Sequence, residues 1–194
     1  MEKKYHHGDL KTELIDRGLR LIHDEGVGSL SLRKLARQCG VSEAAPYSHF
    51  KNKEELLEAM SAYVAERLLE CVRTAYESSE NTNEPSAIYN IGKAYIFFFI
   101  EHPEYFSFIF GQLDTAIDLT ADRAENGFAP FRFFKDKAYH VYRQHGYSDE
   151  QIKYGIISEW ATVHGLACIA TMKGLRKDFD WEEALDIIII GAMA

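Results

Sequence analysis

Apolar residues recur along this chain three and four positions apart and almost nowhere in strict alternation, which is the signature of helices rather than strands. Leu10, Leu14, Gly18, Leu21 and Ile22 mark one face of a first helix over about residues 9–25, which Gly26 and Gly28 bring to an end. A second helix begins after Ser29 or Ser31, either of them a suitable N-cap. It turns Leu32, Leu35 and Ala36 inward and stops at Gly40. A third, two turns long, follows Ser42. A fourth starts at Asn52, with Glu55 placed for a capping box, and carries Leu56, Leu57, Met60, Val64 and Leu68. The polar stretch from Ser78 to Pro85 reads as the one clear loop. Pro85 and Pro103 then stand where a first helical turn tolerates proline, opening a fifth helix to about Glu101 and a sixth beyond it. A seventh spans about residues 128–144 and ends by Gly146. Ser148 with Gln151 forms a second capping box, opening an eighth that runs to Lys173 before Gly174, and Asp180 with Glu183 opens a ninth. The prediction is an all-α chain of about nine helices. A three-helix N-terminal head is joined by a long fourth helix to a helical body, with the division expected at residues 8–68 and 69–194.

Composition supports a folded chain, with 46% hydrophobic and 27% charged residues in 194. Residues 1–9 are polar, so no secretory leader is expected. The longest wholly apolar runs, Tyr95–Ile100 and Ile187–Ala194, are far short of the roughly 20 residues of a membrane span. Three scattered cysteines (Cys39, Cys71, Cys168) make no disulfide framework and fit a reducing, cytoplasmic setting. A net charge of −8 argues at first against a nucleic-acid partner, but residues 1–60 are neutral and the whole excess lies in 61–194. Within Val27–Lys53, five basic residues face one acidic, Glu43, and a basic segment on an acidic body can dock on phosphate.

Residues 31–50 have helix-turn-helix spacing. Ala36 is small where two helices would cross, and Gly40 supplies the backbone freedom of a tight turn. Val41 is expected to plug the core beneath the turn, and Ser42 to cap the next helix with its amides facing phosphate. His49 and Phe50 are expected to pack under the turn. Pro46 conflicts with a regular helix, because it removes an intrahelical hydrogen bond and disfavours helical angles at Ala45, so an irregular opening turn is expected. Spacing alone fits an ordinary helical hairpin equally well.

From Tyr5 to about Met60, however, the chain resembles the DNA-binding domain of the TetR family. The segments carrying the likeness are Tyr-His-His-Gly-Asp-Leu at 5–10, Ser-Leu-Arg-Lys-Leu-Ala at 31–36, Gly-Val-Ser at 40–42, Pro-Tyr-Ser-His-Phe at 46–50 and Lys-Asn-Lys-Glu-Glu-Leu-Leu at 51–57. The resemblance implies that the Tyr47 ring and Lys53 contact phosphate and that Glu43, Ala44, Ala45 and Ser48 face the bases. Ser31, Arg33, Ser42, His49 and Lys51 complete the DNA-contacting set. A glutamate at 43 can accept from cytosine N4, and the two alanine methyls can touch thymine methyls. Ser48 stands where many relatives carry arginine, which removes a contact. The partner is then double-stranded operator DNA, a short near-palindrome.

The body is aromatic: Tyr95, Phe97, Phe98, Phe99, Tyr105, Phe106, Phe108 and Phe110 fall within 16 residues. Most must be core. The excess also suits a ring-walled pocket for a small apolar or aromatic effector, with Tyr95, Phe98, Phe106, Phe110, Phe131, Trp160 and His164 as candidate lining. Trp160-Ala-Thr-Val-His164-Gly165 resembles TetR-family members named for their Trp, His and Gly residues. Gly165 inside a helix implies that another backbone or a ligand comes close. Helices eight and nine are apolar around most of their circumference, so they are expected to meet their copies in a homodimer.

The reading is therefore a DNA-binding transcriptional regulator, a repressor released by its effector. An activator or a constitutive DNA-binding protein with a vestigial pocket stays open beside it. An enzyme built on His140, His145 or His164 with Glu159 is not expected. The chain has no Gly-rich phosphate loop, nucleophile elbow or HExxH pair, and no cofactor is called for. His6 and His7 lack companion ligands, so the segment from Lys3 to His7 is expected to brush the DNA backbone rather than bind metal.

Overall fold

Eight α-helices and two 3₁₀ turns make up the computed structural model, which describes residues 10–111, 115–120 and 127–193, with side chains to Ile189. In chain order the helices are α1 (Leu10–Glu25), α2 (Leu32–Cys39), α3 (Lys53–Glu77), α4 (Pro85–Glu101), α5 (Pro103–Gly111), α6 (Ala129–Gln144), α7 (Asp149–Ala170) and α8 (Trp181–Met193). The 3₁₀ turns are Val27–Ser29 and Ala45–Ser48. The all-α expectation holds and no strand occurs among the described residues. The count of nine does not: the expected third helix is the four-residue 3₁₀ turn at Ala45–Ser48. Pro46 is the reason, since it has no N–H to give the Ser42 carbonyl and that carbonyl accepts Ala45 N–H instead, at 3.0 Å.

Local sequence explains most boundaries. Ser31 caps α2 by accepting Lys34 N–H at 3.2 Å, and Ser148 with Gln151 closes a reciprocal capping box on α7. Asn52 accepts Glu55 N–H at 2.8 Å while the Glu55 carboxylate takes Lys51 N–H at 2.6 Å, so the start of α3 is held from both sides. At its other end α7 stops at Ala170, short of Lys173. The Thr171 hydroxyl donates to the Cys168 carbonyl at 3.1 Å, the acceptor Met172 N–H would need to continue the helix, and Met172 N–H goes to the Ile169 carbonyl at 3.2 Å instead.

The described chain forms two compact units, whose boundary falls within α3 and within α5. The first holds the residues up to Val64 and those from Ser107 to the end of α5. Its core is Leu14, Leu19, Leu35, Ala36, Phe50, Leu56, Met60 and Val64, all essentially inaccessible. The second unit holds the rest, with α4 at its centre packed by α6, α7 and α8. No residue of α4 from Ala87 to Ile100 is exposed, which is why its apolar residues occupy every face.

Within the chain itself the close helix approach lies at Gly92 rather than at Gly165. A Cβ at Gly165 would meet nothing within 4 Å, whereas one at Gly92 would lie 2.9 Å from Val163 Cγ1. Gly92 therefore sets the spacing of α4 and α7. Gly92→Ala gains about 1 kcal/mol in helix propensity but forces an overlap costing about 1–3 kcal/mol. The variant should melt about 2–4 °C below the parent. A melting temperature equal to or above the parent's would show that Val163 yields freely.

Candidate nucleic-acid interface and the cavity of the second unit

The first unit presents its basic residues on α2 and on the turn after it. Gly40 ends α2 at φ +69°, a conformation that side-chain-bearing residues adopt reluctantly. Val41 N–H then returns to the Ala36 carbonyl at 3.0 Å, turning the chain sharply into the 3₁₀ segment. Beneath it lie Pro46 and Phe50, both buried, while Val41 is only half-buried. Pro46 thus fills the place expected of Val41: its ring is apolar and has no amide hydrogen left wanting a partner.

The candidate DNA contacts have distinct settings. Tyr47 is 49% exposed, a large ring left facing water on a turn whose neighbours Pro46 and Phe50 are buried. Arg33 and Lys51 are also exposed at the chain level. Glu43 does not stand free. Arg37 donates to its Oε1 through Nη2 at 2.7 Å and Nε at 3.1 Å, and Arg33 Nε lies 3.9 Å from Oε2. The Arg37 hydrogen bond and charge hold the Glu43 carboxyl below its ordinary range. Ser48 spends its hydroxyl on the Ala45 carbonyl at 2.7 Å. Lys53 Nζ donates to the Val27 carbonyl at 2.7 Å, tying the start of α3 to the first 3₁₀ turn. Ser31 is occupied as the cap of α2. Ser42 is exposed and, contrary to expectation, makes no side-chain cap: Ala44, also exposed, stands in the N-cap position. Ala45 and His49 are half-buried, the His49 ring lying 6.4 Å from that of Phe50. Arg37 was absent from the sequence-derived set. Its position one turn after Arg33 on a helix was the available signal. Lys3 to His7 lie outside the described residues.

The second unit contains a cavity between α4, α6 and α7, with α8 at one edge. Of the candidate pocket residues it brings together Tyr95 and Trp160, joined by Val72, Gly92, Phe134, Glu159 and Val163. The others lie around it. Phe131 packs edge-on against Trp160 with ring centres 4.8 Å apart. His164 shares a 3.0 Å hydrogen bond with the Tyr95 hydroxyl and lies 5.3 Å from the Phe106 ring. Phe98 packs on Phe99 and Tyr105. Phe110 belongs to the first unit. Burial lowers the pKa of His164 and raises that of Tyr95, so both are neutral near pH 7.

Glu159 was noticed in the sequence only as a catalytic carboxylate to set aside. It accepts a hydrogen bond from the Tyr142 hydroxyl through Oε1, and its Oε2 is shielded from solvent. Burial pushes its pKa up to about 7, against the opposing pull of Tyr142. Among the described residues no group of three or more His, Cys, Asp or Glu is placed to hold a metal ion, and no helix is long and apolar enough to cross a membrane.

Residues 14–60 match the model of the family described as bacterial regulatory proteins, tetR family. The HTH-type nicotine-responsive transcriptional repressor HdnoR of Paenarthrobacter nicotinovorans is 36% identical over 73 residues, which span 38% of this chain and 38% of that protein. The likeness to such curated relatives is thus confined to little more than a third of their length. Solved structures extend it to the whole fold. A protein of unknown function from Rhodococcus sp. RHA1 superimposes with a TM-score of 0.68 at 26% identity over 98% of both chains. A regulatory protein in the tetR family from Rhodococcus RHA1 does so with a TM-score of 0.71 at 15% identity over 96% of both.

Proposed function

Over its N-terminal head this chain belongs to the TetR family of bacterial regulatory proteins, and on that premise we propose that it is a dimeric repressor whose operator affinity falls when a small molecule enters the second unit. One observation carries the DNA-binding half of the reading. The turn that follows α2 leaves Tyr47 half in water, on the segment that also carries exposed Arg33, Arg37 and Lys51. An aromatic ring among cations suits a phosphate backbone and suits a core poorly. Residues 8–68 serve as the DNA-binding portion and 69–194 as the sensor, and the protein acts in the cytoplasm.

The dimer is proposed to form through α7 and α8, the eighth and ninth helices of the sequence reading. Support comes from what these helices leave uncovered. Tyr154 and Ile169 are exposed toward one face of α7, with Ala161 and Gly165 between them, Met172 is exposed just beyond its end, and Ile187 is 76% exposed on α8. A helix that is apolar on its outer as well as its inner face needs a second partner. Gly165, where an added Cβ would meet nothing of its own chain within 4 Å, would let a partner helix come near.

The test is a titration of the full chain against fragments of the DNA upstream of its own gene, at two salt concentrations. The parent should bind one short palindrome with an affinity on the order of 10 nM, losing affinity steeply as salt rises. Tyr47→Ala should weaken that binding about tenfold, by about 1.4 kcal/mol, with the dimer intact in sedimentation. A dimer that binds none of the fragments, or a Tyr47→Ala variant that binds as well as the parent, would overturn the reading.

A further inference from the structure

Glu159 occupies a position that α7 otherwise gives to apolar side chains. It follows Ile156 by three residues and precedes Val163 by four, and both of these are buried. A carboxylate at such a position is costly unless each oxygen has a donor. Oε1 has one in the Tyr142 hydroxyl, but Oε2 is shielded from solvent and has no hydrogen-bond partner among the described residues. The side chain lines the cavity between α4, α6 and α7, where no lysine, arginine or histidine joins it among the described residues. The one lysine of α4, Lys93, is engaged by Asp186 at 2.7 Å. The cavity is thus an apolar chamber with one uncompensated acceptor.

We propose that this cavity binds a small monocationic amine, whose ammonium donates to Glu159 Oε2 while its apolar body lies against Tyr95, Trp160 and Val163. Charge selects a cation, because an anion would meet a carboxylate in apolar surroundings and a neutral donor would leave the carboxylate's charge unbalanced. Tyr95 and Trp160 add aromatic rings to the lining, which suits a cation better than an anion. An ammonium fits better than a guanidinium, because Tyr142 already holds Oε1 and a two-pronged donor would find one free oxygen. Burial, which keeps the Glu159 carboxyl up near 7, is the penalty that a bound cation would relieve. Size is restricted as well. The space between the lining side chains totals about 530 Å3, including the part continuous with solvent. A small amine is therefore accommodated with shifts of lining side chains. That such an amine is the effector rests on the regulator reading; that it binds does not.

The full-length protein and its Glu159→Gln variant are titrated by calorimetry with phenethylamine, 2-phenylethanol and phenylacetate, and the change in Trp160 fluorescence is followed in parallel. The parent should bind phenethylamine at least about tenfold more tightly than 2-phenylethanol, and phenylacetate more weakly than either. Glu159→Gln should lose at least about tenfold for the amine, about 1.4 kcal/mol, while its affinity for the alcohol stays within about threefold. The order of the three probes on the parent decides the matter even if the variant fails to fold. Equal binding of amine and alcohol, unchanged amine binding by a folded Glu159→Gln, or no amine binding below about 10 mM would each overturn the proposal. The same samples are tested on operator DNA. Amine binding without DNA binding would defeat the regulator reading and leave the amine site standing; DNA binding without amine binding would do the reverse.

Discussion

Phe50→Ala should cost the first unit about 3–5 kcal/mol and abolish the proposed operator binding at any accessible protein concentration. The ring is 1% exposed and lies within reach of Lys11 Nζ, 5.9 Å above its centre, while its own amide is held by the Pro46 carbonyl at 3.0 Å. Truncation leaves a cavity at the point where the turn after α2 meets the core, so the segment carrying Tyr47 loses its support. The effect can be localised. Both tryptophans of the chain, Trp160 and Trp181, belong to the second unit, so fluorescence reports that unit alone. Amide exchange in α1 and α2 should accelerate by roughly two to four orders of magnitude, while the tryptophan-detected transition moves little. A tryptophan transition that shifts by the full amount would show that the two units unfold as one. Exchange that barely changes would remove Phe50 from the core.

Glu159→Gln should change how stability depends on pH. The folded pKa of about 7 lies above the ordinary 4.5, so the native state holds a proton that the unfolded chain has already released. Stability therefore falls as pH rises from about 4.5 to about 7 and levels off above. Over that window the loss is about 3 kcal/mol, on the order of a fifth to a half of a domain's stability. Glutamine keeps the shape and a neutral donor but cannot ionise. The variant should match the parent near pH 5, unfold at higher denaturant near pH 8, and lose the slope between the two. A slope that survives the substitution would place its origin in another group.

Helix positions were largely legible because capping is a local matter. Ser31, Ser148 with Gln151, and Gly40 act on residues within one turn of themselves, and a sequence displays such neighbours directly. Errors arose where two local preferences competed or where the decisive neighbour was distant. Pro46 was recognised as a conflict, yet its outcome was a 3₁₀ turn in place of a helix, because the lost bond falls in a segment too short to absorb it. Thr171 ended α7 before Gly174 could. Gly165 drew notice as a glycine within a helix, whereas Gly92, inside a run that is apolar on every side, is the one pressed against Val163. The candidate contacts of the head could be named one by one, but their mutual engagement could not. Nothing in a linear reading announces that Glu43 is held by two arginines, or that Lys53 is bonded to Val27. The second unit was legible as aromatic and less so as a cavity. Of seven candidates only Tyr95 and Trp160 line it: Phe98, Phe106, Phe131 and His164 pack against other rings, and Phe110 belongs to the first unit.

The ion pair between Glu43 and Arg37 bears on how a protein of this kind would find one site in a genome. Generic duplex offers phosphates to Arg37 but must first compete with a carboxylate already in place, and the freed Glu43 would then keep only the looser Arg33 pair, 3.9 Å away. A site that presents a cytosine amino group to Glu43 while its backbone receives Arg37 replaces both halves of the broken pair. The pair would thus act as an internal decoy, shortening the time spent on the wrong sequence without weakening the right one. Arg37→Ala would release Glu43 from that duty, and its cost should fall on discrimination between sites more heavily than on the number of sites visited.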